Sequence, residues 1–224
     1  MSNKNLQNLD KAKLFLNSNP TTIELLNVIL PINKIDDIGF RDAVAEVFAL
    51  NGKNLFVLEK LSNSGLLNEN ILTSLATNPN ISEIIFKNLL NSKSLKVYEA
   101  LAENISLNEK QMETLFNLDI DSVDYILASN PNLKEYVISY ILEEYIINNE
   151  DLSMAIALAT NPSISEEAYD YLSDTKEIKI LEALLLNPSL TDFQKDEIKI
   201  DIKDLKINEM SEIQHFENMR NGLA

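Results

Sequence analysis

The chain has 224 residues, no cysteine, and 35 acidic against 19 basic side chains, for a net charge of −16. These counts exclude disulfides, thiolate zinc sites, iron–sulfur clusters and cysteine nucleophiles. The acidic field repels a phosphate backbone, and Arg41 and Arg220 are the only arginines, so nucleic-acid binding is not expected.

Taken from the N-terminus, polar Met1 to Asp10 lacks the apolar centre of a secretory signal. No later stretch approaches the roughly 18–20 continuous apolar residues of a membrane span. A cytoplasmic chain that binds no membrane is the expectation. Residues 1–46 read as an N-terminal cap, with a weak copy of a recurring motif at Asn19 in Leu16-Asn-Ser-Asn-Pro20. A second weak copy stands at Asn51 in Phe48-Ala-Leu-Asn-Gly52, and regular repeats run from about 47 to 198.

The strong copies follow in order: Leu75-Ala-Thr-Asn-Pro-Asn-Ile-Ser82, Leu101-Ala-Glu-Asn-Ile-Ser-Leu-Asn108, Leu127-Ala-Ser-Asn-Pro-Asn-Leu-Lys134, Leu158-Ala-Thr-Asn-Pro-Ser-Ile-Ser165 and Leu184-Leu-Leu-Asn-Pro-Ser-Leu-Thr191. Their asparagines, Asn78, Asn104, Asn130, Asn161 and Asn187, are spaced 26, 26, 31 and 26 residues apart. The five-residue excess falls in the stretch Glu143 to Asp151.

Apolar residues keep step with this period. Three before each asparagine stand Leu75, Leu101, Leu127, Leu158 and Leu184, and seven before stand Ile71, Val97, Val123, Met154 and Ile180. Three after come Ile81, Leu107, Leu133, Ile164 and Leu190. Eleven after come Leu89, Leu115, Ile141, Leu172 and Ile198.

Each unit reads as two short helices. The first opens after Ser82, Asn108, Lys134, Ser165 or Thr191, a good N-cap in four of the five units, with an acidic residue next, where the helix dipole favours it. The second ends at the Asn-Pro step, because proline disfavours helical geometry in the residue before it and cannot donate a helical hydrogen bond. Asparagine tolerates the left-handed conformation of a helix end and can hydrogen-bond exposed backbone. Its recurrence predicts a stacked polar ladder along the array, and the simpler alternative is five independent helix stops.

One such unit cannot bury its own apolar face, so neighbours must stack. The expected fold is all-α: a right-handed superhelical α-solenoid of about seven two-helix repeats, each of ~26 residues, over residues 1–203. Ile198-Lys-Ile-Asp-Ile-Lys203 alternates like a strand, yet Ile198 fills a helical slot, and it is read as helix. Residues 204–224 form a C-terminal capping helix or tail.

The pattern Leu-Ala-x-Asn-Pro-x-Ile/Leu-x-Glu, followed by leucines and a valine-bearing second segment, resembles the leucine-rich repeat variant family of bacterial solenoids, over roughly Phe48 to Ile198. The resemblance implies a helix paired with a short 3₁₀ helix in each repeat, near HEAT and armadillo repeats, and implies no particular function. The second segments look long enough for α-helices, which pulls the reading toward HEAT. Some members of that family carry a cysteine-bound cluster, for which this chain has no ligands. Ile105 and Gly52 stand where the family pattern has proline.

No active site assembles along the chain, and neither enzymatic activity nor a cofactor nor a metal is expected. His215 is the only histidine, and the glycines at 39, 52, 65 and 222 cannot form a phosphate loop. The carboxylate pairs Asp36/Asp37, Asp119/Asp121, Glu143/Glu144 and Glu166/Glu167 have no calcium-loop spacing. The remaining candidate is surface. Second helices commonly line the concave face of a solenoid. Five before each asparagine stand Thr73, Glu99, Tyr125, Ile156 and Glu182, with Tyr98 in the neighbouring slot.

Tyr98, Glu99, Tyr125, Ile156 and Glu182 are therefore the candidate partner-binding residues, although packing between repeats would use the same apolar side chains. The expected function is a non-enzymatic scaffold binding a protein partner along the concave face, and the chain's acidity favours a basic partner. The alternative is an acidic inhibitor, of immunity type or mimicking nucleic-acid charge, that neutralises a basic target. An enzyme on a HEAT-like scaffold, as in base-excision glycosylases, needs a basic groove that this chain lacks.

Overall fold

The computed structural model describes residues 3–30, 37–65, 68–148, 150–220 and 222, with fourteen α-helices and one π-helical turn and no strand among them. The chain divides into two compact units, Met1–Ile126 and Leu127–Ala224.

The first unit holds α1 (Asn3–Asn17), α2 (Thr22–Ile29), α3 (Ile38–Asn51), α4 (Leu55–Ser62), α5 (Glu69–Thr77), α6 (Glu83–Leu90), α7 (Leu95–Ala102) and α8 (Glu109–Phe116). The division falls within α9 (Asp121–Ala128). Helices pack on their second neighbours: α1 on α3, α3 on α5 and α5 on α7, with α2 on α4 and α4 on α6 beside them. An eight-residue helix is too short to hold itself in water, so burial of one face against these neighbours keeps it folded.

In the second unit α10 (Glu135–Ile141) runs directly into the π-helical turn Leu142–Ile147, followed by α11 (Leu152–Thr160), α12 (Glu166–Asp174), α13 (Ile178–Leu186) and α14 (Asp192–Arg220). There α11 packs on the π-helical turn and on α13, and α13 packs on α14. The π-helical turn absorbs the long repeat: Asn148 N–H donates five residues back to Glu143 O at 3.0 Å.

The apolar slots sort cleanly. All fifteen residues three before, seven before and eleven after the asparagines are buried. Of the residues three after, Leu107 and Leu133 are buried, whereas Ile81, Ile164 and Leu190 are half-buried. The cap boundaries expected near 46 and 203 both fall inside continuous helices, α3 and α14. Part of the expected N-terminal cap, residues 31–36, lies outside the described residues. Ile198 to Lys203 is helix, with Ile198 and Ile202 buried; from Lys206 to Arg220 every side chain of α14 is exposed.

Of the Asn-Pro steps at Asn19, Asn78, Asn161 and Asn187, only that at Asn19 has left-handed backbone, at φ 54. Asn78, Asn161 and Asn187 are extended, at φ/ψ of −67/128, −73/125 and −66/122, which is the conformation a following proline imposes. Positive φ occurs also at Gly65, Lys93, Asp119, Glu150 and Lys176, in the turn inside each repeat.

Candidate functional site

Every repeat asparagine is 0 to 4% exposed, so its amide must find partners inside the protein. A primary amide offers two N–H donors and one acceptor oxygen, and the turns use all three. Asn104 Nδ2 donates to Ala76 O at 2.6 Å and to Asn78 O at 2.9 Å, while its Oδ1 accepts from Ser106 N–H at 2.8 Å. In the second unit Asn161 does the same with Ala128 O, Asn130 O and Ser163 N–H. Asn187 continues with Ala159 O, Asn161 O and Ser189 N–H. Asn130 Oδ1 accepts from Asn132 N–H at 2.9 Å. Within each unit the amides thus tie one turn to the turn before it.

The first rung shows a register that spacing from Asn51 misses. Asn78 Nδ2 donates to Ala49 O and to Gly52 O, so Gly52, 26 residues before Asn78, holds the asparagine place. A Cβ at Gly52 would lie 2.5 Å from Phe48 O and 2.8 Å from the Phe48 ring, so a side chain there requires Phe48 or the backbone to shift. Asn51 and Asn19 are exposed.

Side-chain caps form at the four positions where the sequence offers a capping residue and not at Lys134. Ser82, Asn108 and Ser165 accept from the backbone N–H three residues on, and Thr191 makes the same bond with Gln194 N–H. Lys134 makes no side-chain cap bond.

The five surface candidates are placed unevenly. Tyr98 is half-buried and its hydroxyl donates to Leu90 O at 2.8 Å. Glu99 is half-buried and accepts from the Ser122 hydroxyl at 2.8 Å. Ile156 is half-buried, and Glu182, though exposed, pairs with Lys206 at 2.9 Å. Tyr125 is exposed. Neighbouring positions also bond between helices: Glu69 accepts from Ser94 and Lys96. The Lys96 ammonium, then the Ser94 hydroxyl, hold the Glu69 carboxyl below its usual range, and Glu69 raises Lys96 in turn.

Two surfaces were not singled out from sequence. The second residue of each first helix is exposed, and in the first unit it is apolar on three successive packed helices: Ile23, Phe56 and Ile84, at 71, 53 and 54% exposure. Lys110 ends that row on α8. The row is hidden in sequence because α2 and α4 start three residues after Asn19 and Gly52, whereas α6 and α8 start five after Asn78 and Asn104, which shifts Ile23 and Phe56 out of register with Ile84.

The second surface is a cleft of about 420 Å³ in the second unit, where the π-helical turn meets α11 and α13. Ile146, Ala155 and Ile180 form its buried floor, and Glu150, Glu177 and Tyr171 are exposed at its edge beside half-buried Asp151. Asp151 Oδ1 caps α11 through Ser153 and Met154 N–H. Of the sequence signals, the five-residue excess pointed to this place. The same unit is electronegative elsewhere: burial, then the carboxylates of Glu197, Asp170 and Asp201, push the Tyr169 hydroxyl above its usual range.

The remaining chemical candidates are dispersed. His215 is exposed on α14, its ring 6.4 Å from that of Phe216 at an interplanar angle of 62°. Glu166 and Glu167 lie in the first turn of α12, Glu143 and Glu144 in the π-helical turn, and Asp36 lies outside the described residues. Among the described residues no group of three or more His, Asp or Glu is placed to hold a metal ion, and no helix is long and apolar enough to cross a membrane. Compared with known proteins, the chain matches no family model, no curated protein and no solved structure.

Proposed function

We propose that the chain is a non-enzymatic protein-binding scaffold, a right-handed α-solenoid of two-helix repeats akin to the leucine-rich repeat variant and HEAT kinds. The repeating turn-to-turn amide bonds and the packing of second-neighbour helices support that architecture. The observation that carries the binding role is the exposed row Ile23, Phe56 and Ile84.

Neighbouring packed helix axes lie about 8–10 Å apart, so three such residues extend over roughly 20 Å. That matches a partner helix of about 13 residues or a strand of about six. Tyr98, Glu99 and Glu182 are engaged in bonds within the chain, which moves the partner from the second helices to this row of first helices. On the second helices, Tyr125 is exposed and Ile156 half-buried.

The test is affinity capture from the native lysate with wild type and an Ile23→Ser/Phe56→Ser/Ile84→Ser variant, both checked by circular dichroism. A stoichiometric partner held by wild type and lost by the folded variant supports the row. A partner held equally by both excludes it. The cleft carboxylates favour a second reading, an acidic inhibitor of a basic target. Capture that disappears at high salt and is indifferent to the triple substitution selects it.

A further inference from the structure

The geometry points to the cleft at the π-helical turn as a docking site for a lysine or arginine side chain of a partner protein. This rests on the protein-binding reading and names the partner's chemistry at a second place. The cleft lies within the 300–1,000 Å³ range of sites that enclose a ligand group. Its floor is apolar, and its edge carries three carboxylates, Glu150, Asp151 and Glu177, none of which pairs with a cation among the described residues.

The carboxylates outweigh the local helix dipoles. Asp151 and Glu177 are the N-caps of α11 and α13, and each helix start contributes about half a positive charge. Against three negative charges that leaves the edge at roughly −2. An anionic group is repelled by such an edge, and a neutral donor gains only a hydrogen bond where a cation gains charge attraction as well. A basic side chain fits both parts, because its aliphatic stem lies along apolar surface while its charged end stays at the wet edge. The exposed Tyr171 ring adds a face for the cation.

The irregular repeat makes this place without disturbing the ladder. Asn161 still reaches Ala128 O and Asn130 O across the long repeat. The added residues therefore lengthen the first-helix side alone, and Glu150 and Asp151 stand at their end. π-Helical turns of this kind recur at functional sites.

The experiment titrates the isotope-labelled full chain with octalysine near 0.15 M salt, where exposed charges more than about 8 Å apart are screened. Three variants accompany wild type. Glu150→Gln/Glu177→Gln alters the cleft, Glu109→Gln/Glu113→Gln removes the same charge from exposed positions on α8, and Tyr171→Ala removes the ring. The expected result is amide shifts confined to the cleft, with affinity weakened about tenfold or more by the cleft pair and less than about twofold by the control pair. Tyr171→Ala weakens binding with no change in charge.

Shifts spread over the acidic surface, equal losses in both charge pairs, or no binding of octalysine each overturn the proposal. The Ile23/Phe56/Ile84 variant should bind octalysine as wild type does. Failure at the cleft and failure of the exposed row are therefore read separately.

Discussion

Replacing Asn161 by alanine removes two donated bonds, to Ala128 O at 2.6 Å and Asn130 O at 2.9 Å, and one accepted from Ser163 N–H at 2.8 Å. Each such bond contributes about 0.5–1.5 kcal/mol net, so the substitution should cost about 3 kcal/mol. For a chain of this size that lowers the melting temperature by roughly 6–12 °C.

Asn161→Asp keeps the shape and reverses the chemistry, since a carboxylate places acceptors against two carbonyl oxygens in a buried position. It should therefore be worse than alanine at neutral pH. Burial and the facing carbonyls raise the carboxyl pKa in the folded state above its unfolded value. The folded state then binds more protons, and the deficit against wild type narrows as pH falls through the folded pKa. Urea unfolding followed by circular dichroism at several pH values measures both. Alanine within about 0.5 kcal/mol of wild type, or aspartate no worse than alanine at neutral pH, would refute the load assigned to the amide.

Three further outcomes can be checked by the same unfolding assay. Lys93→Gly relieves a side chain at φ 53 and should stabilise by about 0.5–1 kcal/mol, the left-handed penalty less glycine's greater unfolded freedom. Gly52→Ala forces a Cβ against Phe48 O and should cost about 1–3 kcal/mol. Leu115→Ala empties a fully buried slot and should cost about 2–5 kcal/mol.

The helices were legible in sequence because periodic burial leaves a periodic signature: Leu75, Leu101, Leu127, Leu158 and Leu184 cannot be exchanged for polar residues without exposing the core. α7 begins and ends at the expected Leu95 and Ala102. The asparagines stood out for the same reason, since a polar residue recurring in an apolar frame implies repeated use. What sequence could not display is which partner each amide takes, since Ala76 and Asn78 supply carbonyls that every residue owns. The first rung was displaced because a glycine performs the asparagine's accepting role through its backbone alone. The exposed row and the cleft were hidden for a different reason. Surface residues obey no period of their own, and Tyr171 meets Glu150 and Glu177 only through the path of the chain.

The turn-to-turn amide bonds also set a timetable for the growing chain. The carbonyl of Asn78 is satisfied by an amide 26 residues later, and that of Asn161 by another 26 residues later. At about 5–20 residues per second, a newly made turn waits roughly one to five seconds for the side chain that closes it. Synthesis therefore completes the turns within each unit stepwise. Because these bonds join nearby repeats, the wait is set by repeat length, 26 residues at Asn104 and Asn187 and 31 at Asn161, and not by how many repeats precede.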